Sequence, residues 1–200
     1  MELVSCGSGW IKKEFFHQRF NQKKNNIAIF CALFAGEAEM VSFIRDVAGF
    51  FPDREILLQV RPNILKTKTG SQFVERCLDG LNNVTHSTES VYDIMLNVQY
   101  VISDPSSLVA EALQLGCYSF NFDIPGKQKA NIFRTFEGLV LESGVEAKER
   151  IRGIESGITE YNIDTYKDLV DLSGITVGDK ARIKLGLKPN FLTQKILCEM

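Results

Sequence analysis

From residue 27 onward, short apolar runs alternate with longer stretches in which apolar residues recur every three or four positions. Residues 27–34, Ile-Ala-Ile-Phe-Cys-Ala-Leu-Phe, form an unbroken apolar run of strand length, closed by Gly36. In 37–51, Met40, Phe43, Ile44, Val47, Phe50 and Phe51 fall on one helical face. Glu37 and Glu39 sit in its first turn, where the helix dipole favours acids, and Pro52 stops it. Residues 55–60 predict a second strand, followed by Arg61-Pro62-Asn63. After a lysine-bearing loop, Ser71 is placed to cap a helix carrying Phe73, Val74, Cys77, Leu78 and Leu81. Residues 83–87 predict a third strand. Ser90 then opens an S-x-x-D capping pattern, with Val91, Tyr92, Met95 and Leu96 on one face of the helix it begins. The fourth strand is 99–103. A helix follows it from the Ser106-Ser107 pair to Gly116, a natural C-cap, and 117–122 is the fifth strand.

Five strands thus alternate with four helices through short connections. That pattern predicts an α/β fold: a doubly wound, Rossmann-like parallel sheet of about five strands, with right-handed crossovers placing helices on both faces. Residues 1–26 are polar and irregular and are expected to form a linker or N-terminal extension. Residues 27–125 form the Rossmann-like domain. Beyond Asp123 the periodicity turns helical, with candidate helices at 129–141, 145–155, 164–172 and 176–199. Residues 126–200 are therefore expected to be C-terminal helices packed on that domain.

Composition narrows the function. Hydrophobic residues make up 44% and charged residues 24%, as in an ordinary globular protein. A net charge of −2 gives no electrostatic case for a nucleic-acid partner. No apolar run approaches the length of a transmembrane segment, and residues 1–10 lack the basic and apolar regions of a signal peptide. The five cysteines are odd in number, contain no CxxC, and include Cys31, Cys77 and Cys117 inside apolar patterns. Reduced core thiols and a cytoplasmic location follow.

In doubly wound sheets ligands bind at the carboxyl ends of the strands. Those ends hold Gly36 after the first strand, Arg61 after the second, Thr85 and His86 at the third, and Ser103 with Ser106 and Ser107 at the fourth. Hydroxyls, glycine and one arginine suit a ligand with phosphate and sugar hydroxyls. Ser106 and Ser107 stand at a helix start, where unpaired N–H groups attract anions. Plain N-capping explains one of them equally well. Asp104 is either a local Asx-turn acceptor or a catalytic acid. Glu111, one turn above Ser107, either accepts from a ribose or is a solvated helix-face acid. His86 touches a base or phosphate, or is an ordinary loop histidine. Lys66 and Lys68, on the loop, meet phosphate or only solvent.

Other chemistries lack their residues. Gly7-Ser8-Gly9 is not followed by a phosphate-binding strand-loop-helix, and no G-x-S-x-G elbow is present. Only His17 and His86 exist, neither at metal-ligand spacing with another His or Cys, so no metal and no cofactor are expected.

The segment Val-Ile-Ser-Asp-Pro-Ser-Ser-Leu-Val-Ala-Glu-Ala-Leu-Gln-Leu-Gly-Cys-Tyr-Ser-Phe-Asn-Phe-Asp (101–123) resembles the C-terminal, nucleotide-binding half of GT-B glycosyltransferases. The group is that of bacterial surface-polysaccharide and CDP-glycerol glycerophosphotransferase-like enzymes, in which a strand ends in a serine pair, then a Glu-Ala pair, then glycine. Phe-Pro-Asp-Arg-Glu-Ile-Leu-Leu-Gln-Val-Arg-Pro-Asn (51–63) resembles the segment in which that group's strand ends at His-Pro. The resemblance implies that Ser106 and Ser107 bind donor phosphate, that Glu111 binds ribose, and that Arg61 replaces the histidine stabilising the departing phosphate. It implies a nucleotide-activated sugar or polyol as donor, work in the cytoplasm or at the inner face of the membrane, and no metal. GT-B enzymes react in a cleft between two such domains, and the strands here suffice for one. The acceptor-binding domain is therefore expected elsewhere, on a longer chain or a partner subunit. A sugar-nucleotide epimerase-like enzyme and a non-catalytic α/β binding module remain as alternatives. The first would need cleft carboxylates and histidines, of which few are present.

Overall fold

The computed structural model describes residues 24–33, 36–125 and 131–166, with single positions at 169, 183, 185, 186 and 188. The extension at 1–23, the Gly7-Ser8-Gly9 segment and His17 lie outside the described residues, as does nearly all of the candidate helix 176–199.

Six parallel strands form one sheet in the order β3-β2-β1-β4-β5-β6. They are β1 Lys24–Cys31, β2 Ile56–Val60, β3 Val84–His86, β4 Val98–Ser103, β5 Tyr118–Phe122 and β6 Val140–Leu141. The helices are α1 Glu37–Phe50, α2 Pro62–Leu65, α3 Lys68–Leu78, α4 Val91–Asn97, α5 Leu108–Gln114 and α6 Gly144–Glu155. The doubly wound parallel sheet expected from the alternation is therefore present. Its order reverses between β1 and β4, which pair with Ile27 opposite Tyr100 and Phe30 opposite Ser103. This is the topological switch point.

Side-chain alternation explains why helices cover both faces. Ile27, Ile29 and Cys31 point into one core with Met40, Phe43, Ile44 and Val47 of α1 and Phe73 of α3. Ala28 and Phe30 point into the opposite core with Ile94 and Met95 of α4 and Ala112 of α5. Cys31, Cys77 and Cys117 are all buried as thiols.

Several local expectations are corrected. β1 starts at Lys24, three residues before the apolar run, because β4 supplies a partner there, Val98 opposite Lys24. The lysine-bearing loop is instead the four-residue helix α2, followed almost at once by α3. Thr67, not Ser71, caps α3, its hydroxyl accepting from the Gly70 N–H at 3.0 Å. The candidate helix 129–141 is a 3₁₀ turn, Ile132–Thr135, followed by the short strand β6. There the open edge of β5 takes Val140 opposite Asn121 and Leu141 opposite Phe122, a long-range pairing that a local apolar period cannot register. The candidate helix 145–155 is α6, while 164–172 opens as a 3₁₀ turn, Ile163–Tyr166.

Candidate functional site

Between the carboxyl ends of β2, β1 and β4 lies a cavity of about 80 Å³. It is lined by Phe30, Cys31, Ala32, Gln59, Val60, Arg61, Pro62, Val91, Ser103, Ser106 and Leu108, and so opens at the switch point. Three residues expected at a site from sequence, Arg61, Ser103 and Ser106, meet here. Arg61 is exposed, and its N–H donates to the Cys31 carbonyl at 3.0 Å, tying the start of α2 to the end of β1. The cavity is smaller than the roughly 300 Å³ at which ligand pockets begin. A ligand larger than one ring must therefore lie partly over the rim or displace a wall. One wall, α2, has no buried residue.

The hydroxyl geometry is specific. Ser103 Oγ donates its single proton to the Asp104 carbonyl at 2.8 Å. Ser106 Oγ, 3.2 Å from Ser103 Oγ, must then be the donor between the two. Ser106 Oγ also accepts from the Leu108 N–H at 3.2 Å, so Ser106 performs the capping that sequence offered to either serine. Ser107 is exposed and makes no capping bond, and α5 starts after it. At its other end α5 closes as foreseen. Gly116 has φ of 71° and donates to the Leu113 carbonyl at 3.0 Å, while Cys117 donates to Ala112 at 2.9 Å.

Asp104 is wholly buried and is no local turn acceptor. Its Oδ2 accepts from the N–H of Ala32 at 2.8 Å and of Leu33 at 2.6 Å, more than seventy residues away. It holds the turn that leaves β1, where Leu33 has φ of 63° and Gly36 has φ of 103° and ψ of 149°, a conformation open to glycine alone. The Gly36 N–H donates to the Leu33 carbonyl at 3.3 Å, closing the turn. Burial, and then the nearby Asp104 charge, push the Cys31 thiol well above its ordinary pKa, leaving it an inert wall.

Glu111 is not a solvated helix acid. It is 3% exposed, lies in the seam between α4 and α5, and accepts from the Tyr92 hydroxyl through Oε2 at 2.9 Å. It is not among the residues lining the cavity, but its neighbours on that helical face include Leu108, which is. Tyr92 was read from sequence only as part of an apolar helical face. Burial, then its hydrogen bond to Glu111, then the Glu111 charge raise its pKa to about 12, so it stays a donor at neutral pH. Thr85 and His86 do not join this group. They line a separate cavity with Lys24, Glu55, Leu57 and Asn97. Lys66 and Lys68 are exposed and do not line the switch-point cavity.

Sequence reasoning also missed a polar chain across the ends of β4 and β5. The Asn121 amide donates to the Ser103 carbonyl at 3.0 Å. Asn131 donates to Asn121 Oδ1 at 2.6 Å and to Asp123 Oδ2 at 2.9 Å, and Arg134 Nε donates to the same Asp123 oxygen at 2.7 Å. The signal was Ser119 and Asn121 alternating with aromatics in a strand whose both faces are buried.

No family model matches the sequence, and no curated protein does. Among solved structures the chain is similar to the UDP-GlcNAc 2-epimerase from Neisseria meningitidis bound to UDP-GlcNAc, with 15% identity over 87% of this chain and 47% of that one, at a TM-score of 0.48. It is similar to the wall teichoic acid polymerase TagF, with 14% identity over 94% and 48% of the two chains and a TM-score of 0.49. For the S. aureus MnaA–UDP structure the values are 10%, 88%, 49% and 0.48. The chain spans about half the length of each.

Proposed function

We propose that this chain is the donor-nucleotide-binding domain of a GT-B-type glycosyl- or glycerophosphotransferase in cell-surface polysaccharide synthesis. The supporting observation is the meeting of Arg61, Ser103 and Ser106 in one cavity at the switch point of a doubly wound sheet. The resemblance of 51–63 and 101–123 to the nucleotide-binding half of such enzymes supplies the reaction class.

In this reading the flat, apolar part of the nucleotide enters between Phe30, Val60, Pro62, Val91 and Leu108. Its phosphates lie toward Arg61, Ser106 and the exposed Ser107. As the bond between the transferred group and the phosphate breaks, negative charge grows on the departing nucleotide. Arg61 meets that charge with a cation that cannot lose its proton, so it stabilises the leaving group without serving as a proton donor. Glu111 accepts from the ribose, and Gly36 lets the turn after β1 run close to the ligand. Thr85 and His86 are left out of this assignment, because they line the other cavity. The acceptor is held by a partner domain or subunit, and the domain works in the cytoplasm or at the inner face of the membrane.

Calorimetric titration with UDP, UMP, CDP and CMP tests the proposal. At least one should bind at millimolar concentration or tighter, and Arg61→Ala should weaken it. Absence of binding by all four to a folded sample would overturn the reading.

A further inference from the structure

The seam between α4 and α5 contains a group that packing alone does not account for. Every residue of 109–114 in α5 is buried; four are apolar, Gln114 is polar, and Glu111 alone carries a carboxylate. A buried charge is costly unless several donors meet it. Among the described residues, the Tyr92 hydroxyl is the side chain that hydrogen-bonds to it. One neutral donor leaves most of a carboxylate's acceptor capacity unused. The two members of the pair each stand beside a wall of the switch-point cavity. Tyr92 follows Val91, and Glu111 lies three residues beyond Leu108, one turn along the same face; Val91 and Leu108 both line the cavity.

From this juxtaposition we infer that Tyr92 is a positioning residue. Its hydroxyl holds one oxygen of Glu111, so that the rest of the carboxylate is aimed across the cavity rim at the vicinal hydroxyls of a ribonucleotide. The inference rests on the nucleotide reading of the same site, with Glu111 as its ribose acceptor, and adds the residue that positions that acceptor. The bond does two things at once. It fixes the carboxylate rotamer, and it gives one carboxylate oxygen a donor inside the seam. The ligand's two hydroxyls then add the donors that the buried carboxylate otherwise lacks. No bond is made or broken; the effect is one of orientation and selection.

The test compares binding of UMP and CMP with their 2′,3′-dideoxy forms by calorimetry, for the wild type and for Tyr92→Phe. The substitution removes one oxygen from a half-buried ring, and circular dichroism and the thermal midpoint establish that the variant is folded. The wild type should bind the ribo form at least about tenfold tighter than the dideoxy form. Tyr92→Phe should bring the two within about threefold by weakening the ribo form only. An unchanged ratio, or equal weakening of both forms, overturns the role of Tyr92 and leaves the nucleotide reading standing. If the wild type binds neither ribo form, the nucleotide reading itself falls and the inference with it. Should Tyr92→Phe not fold, Glu111→Gln decides. Its amide oxygen still accepts from Tyr92, and an undiminished ribo preference would mean that Tyr92 has no ribose reader to position.

Discussion

Asp104 and Arg61 show how differently two charged residues can serve one site. Asp104 has no access to solvent and spends one oxygen on two N–H groups of the turn leaving β1. Removing it strands those donors beside a backbone already bent to φ of 63° at Leu33. Asp104→Ala should therefore cost on the order of 2–4 kcal/mol, read by urea denaturation. A loss below about 0.5 kcal/mol would show that the turn holds without it. Arg61 is exposed at the cavity rim, so its truncation should spare stability and act on ligands. Arg61→Ala should weaken a nucleoside diphosphate by roughly 1.5–3 kcal/mol and the matching nucleoside hardly at all. Calorimetry of the pair decides, since equal losses would place Arg61 in support of the fold.

At the scale of elements, the cavity depends on a helix of four residues. No residue of α2 is buried, and it leans on α3 where Gly70 faces the Ile64 carbonyl. A Cβ on Gly70 would collide with that oxygen, which belongs to the backbone and cannot rotate away. Gly70→Ala must therefore move α2, and with it Arg61 and Pro62. The expected cost is about 1–3 kcal/mol of stability by urea denaturation. Nucleotide affinity should fall as well, although the alanine touches no ligand. Unchanged affinity would show that the position of α2 does not shape the site. α5 is closed differently, by Gly116 in the left-handed region after its last turn. That glycine was legible from sequence, because a helix end announces itself locally, whereas the contact at Gly70 joins two elements and does not.

Across the whole molecule, the end of the sheet opposite the cavity is fastened by charge. Arg54 donates to both oxygens of Glu155 at 2.7 Å, its guanidinium lies 4.6 Å over the Phe51 ring, and the Tyr100 hydroxyl donates to Glu155 at 3.2 Å. This joins the chain before β2, strand β4 and helix α6. Burial alone would raise the Glu155 pKa, but the hydrogen bonds and charge of Arg54 outweigh it and hold the group below its ordinary value. A carboxylate with a lowered folded pKa contributes stability that is complete above its unfolded pKa and lost as pH falls through the folded one. Stability should thus decline on acidification below about pH 5, and Glu155→Gln should flatten that decline. Chemical denaturation of both proteins from neutral pH down to about pH 3 measures it. Parallel curves would place the acid sensitivity elsewhere.

The apolar pattern of this chain determined its parallel α/β class, the placement of five strands to within a few residues, and the strand ends where a ligand could bind. It could do so because burial on both faces of a sheet demands continuous apolar runs, and amphipathic helices demand a 3.6-residue period. The partners across those elements were decided only in three dimensions. Asp104 reaches a turn seventy residues back, Glu111 turns inward to Tyr92, Thr85 and His86 fall into another cavity, and β6 emerges from a helical-looking segment to pair with β5. Each of these is a hydrogen bond or a shared wall between distant residues, and its energy depends on where the rest of the sheet brings them. A period along the chain records which face is buried; it holds no record of what waits on the other side.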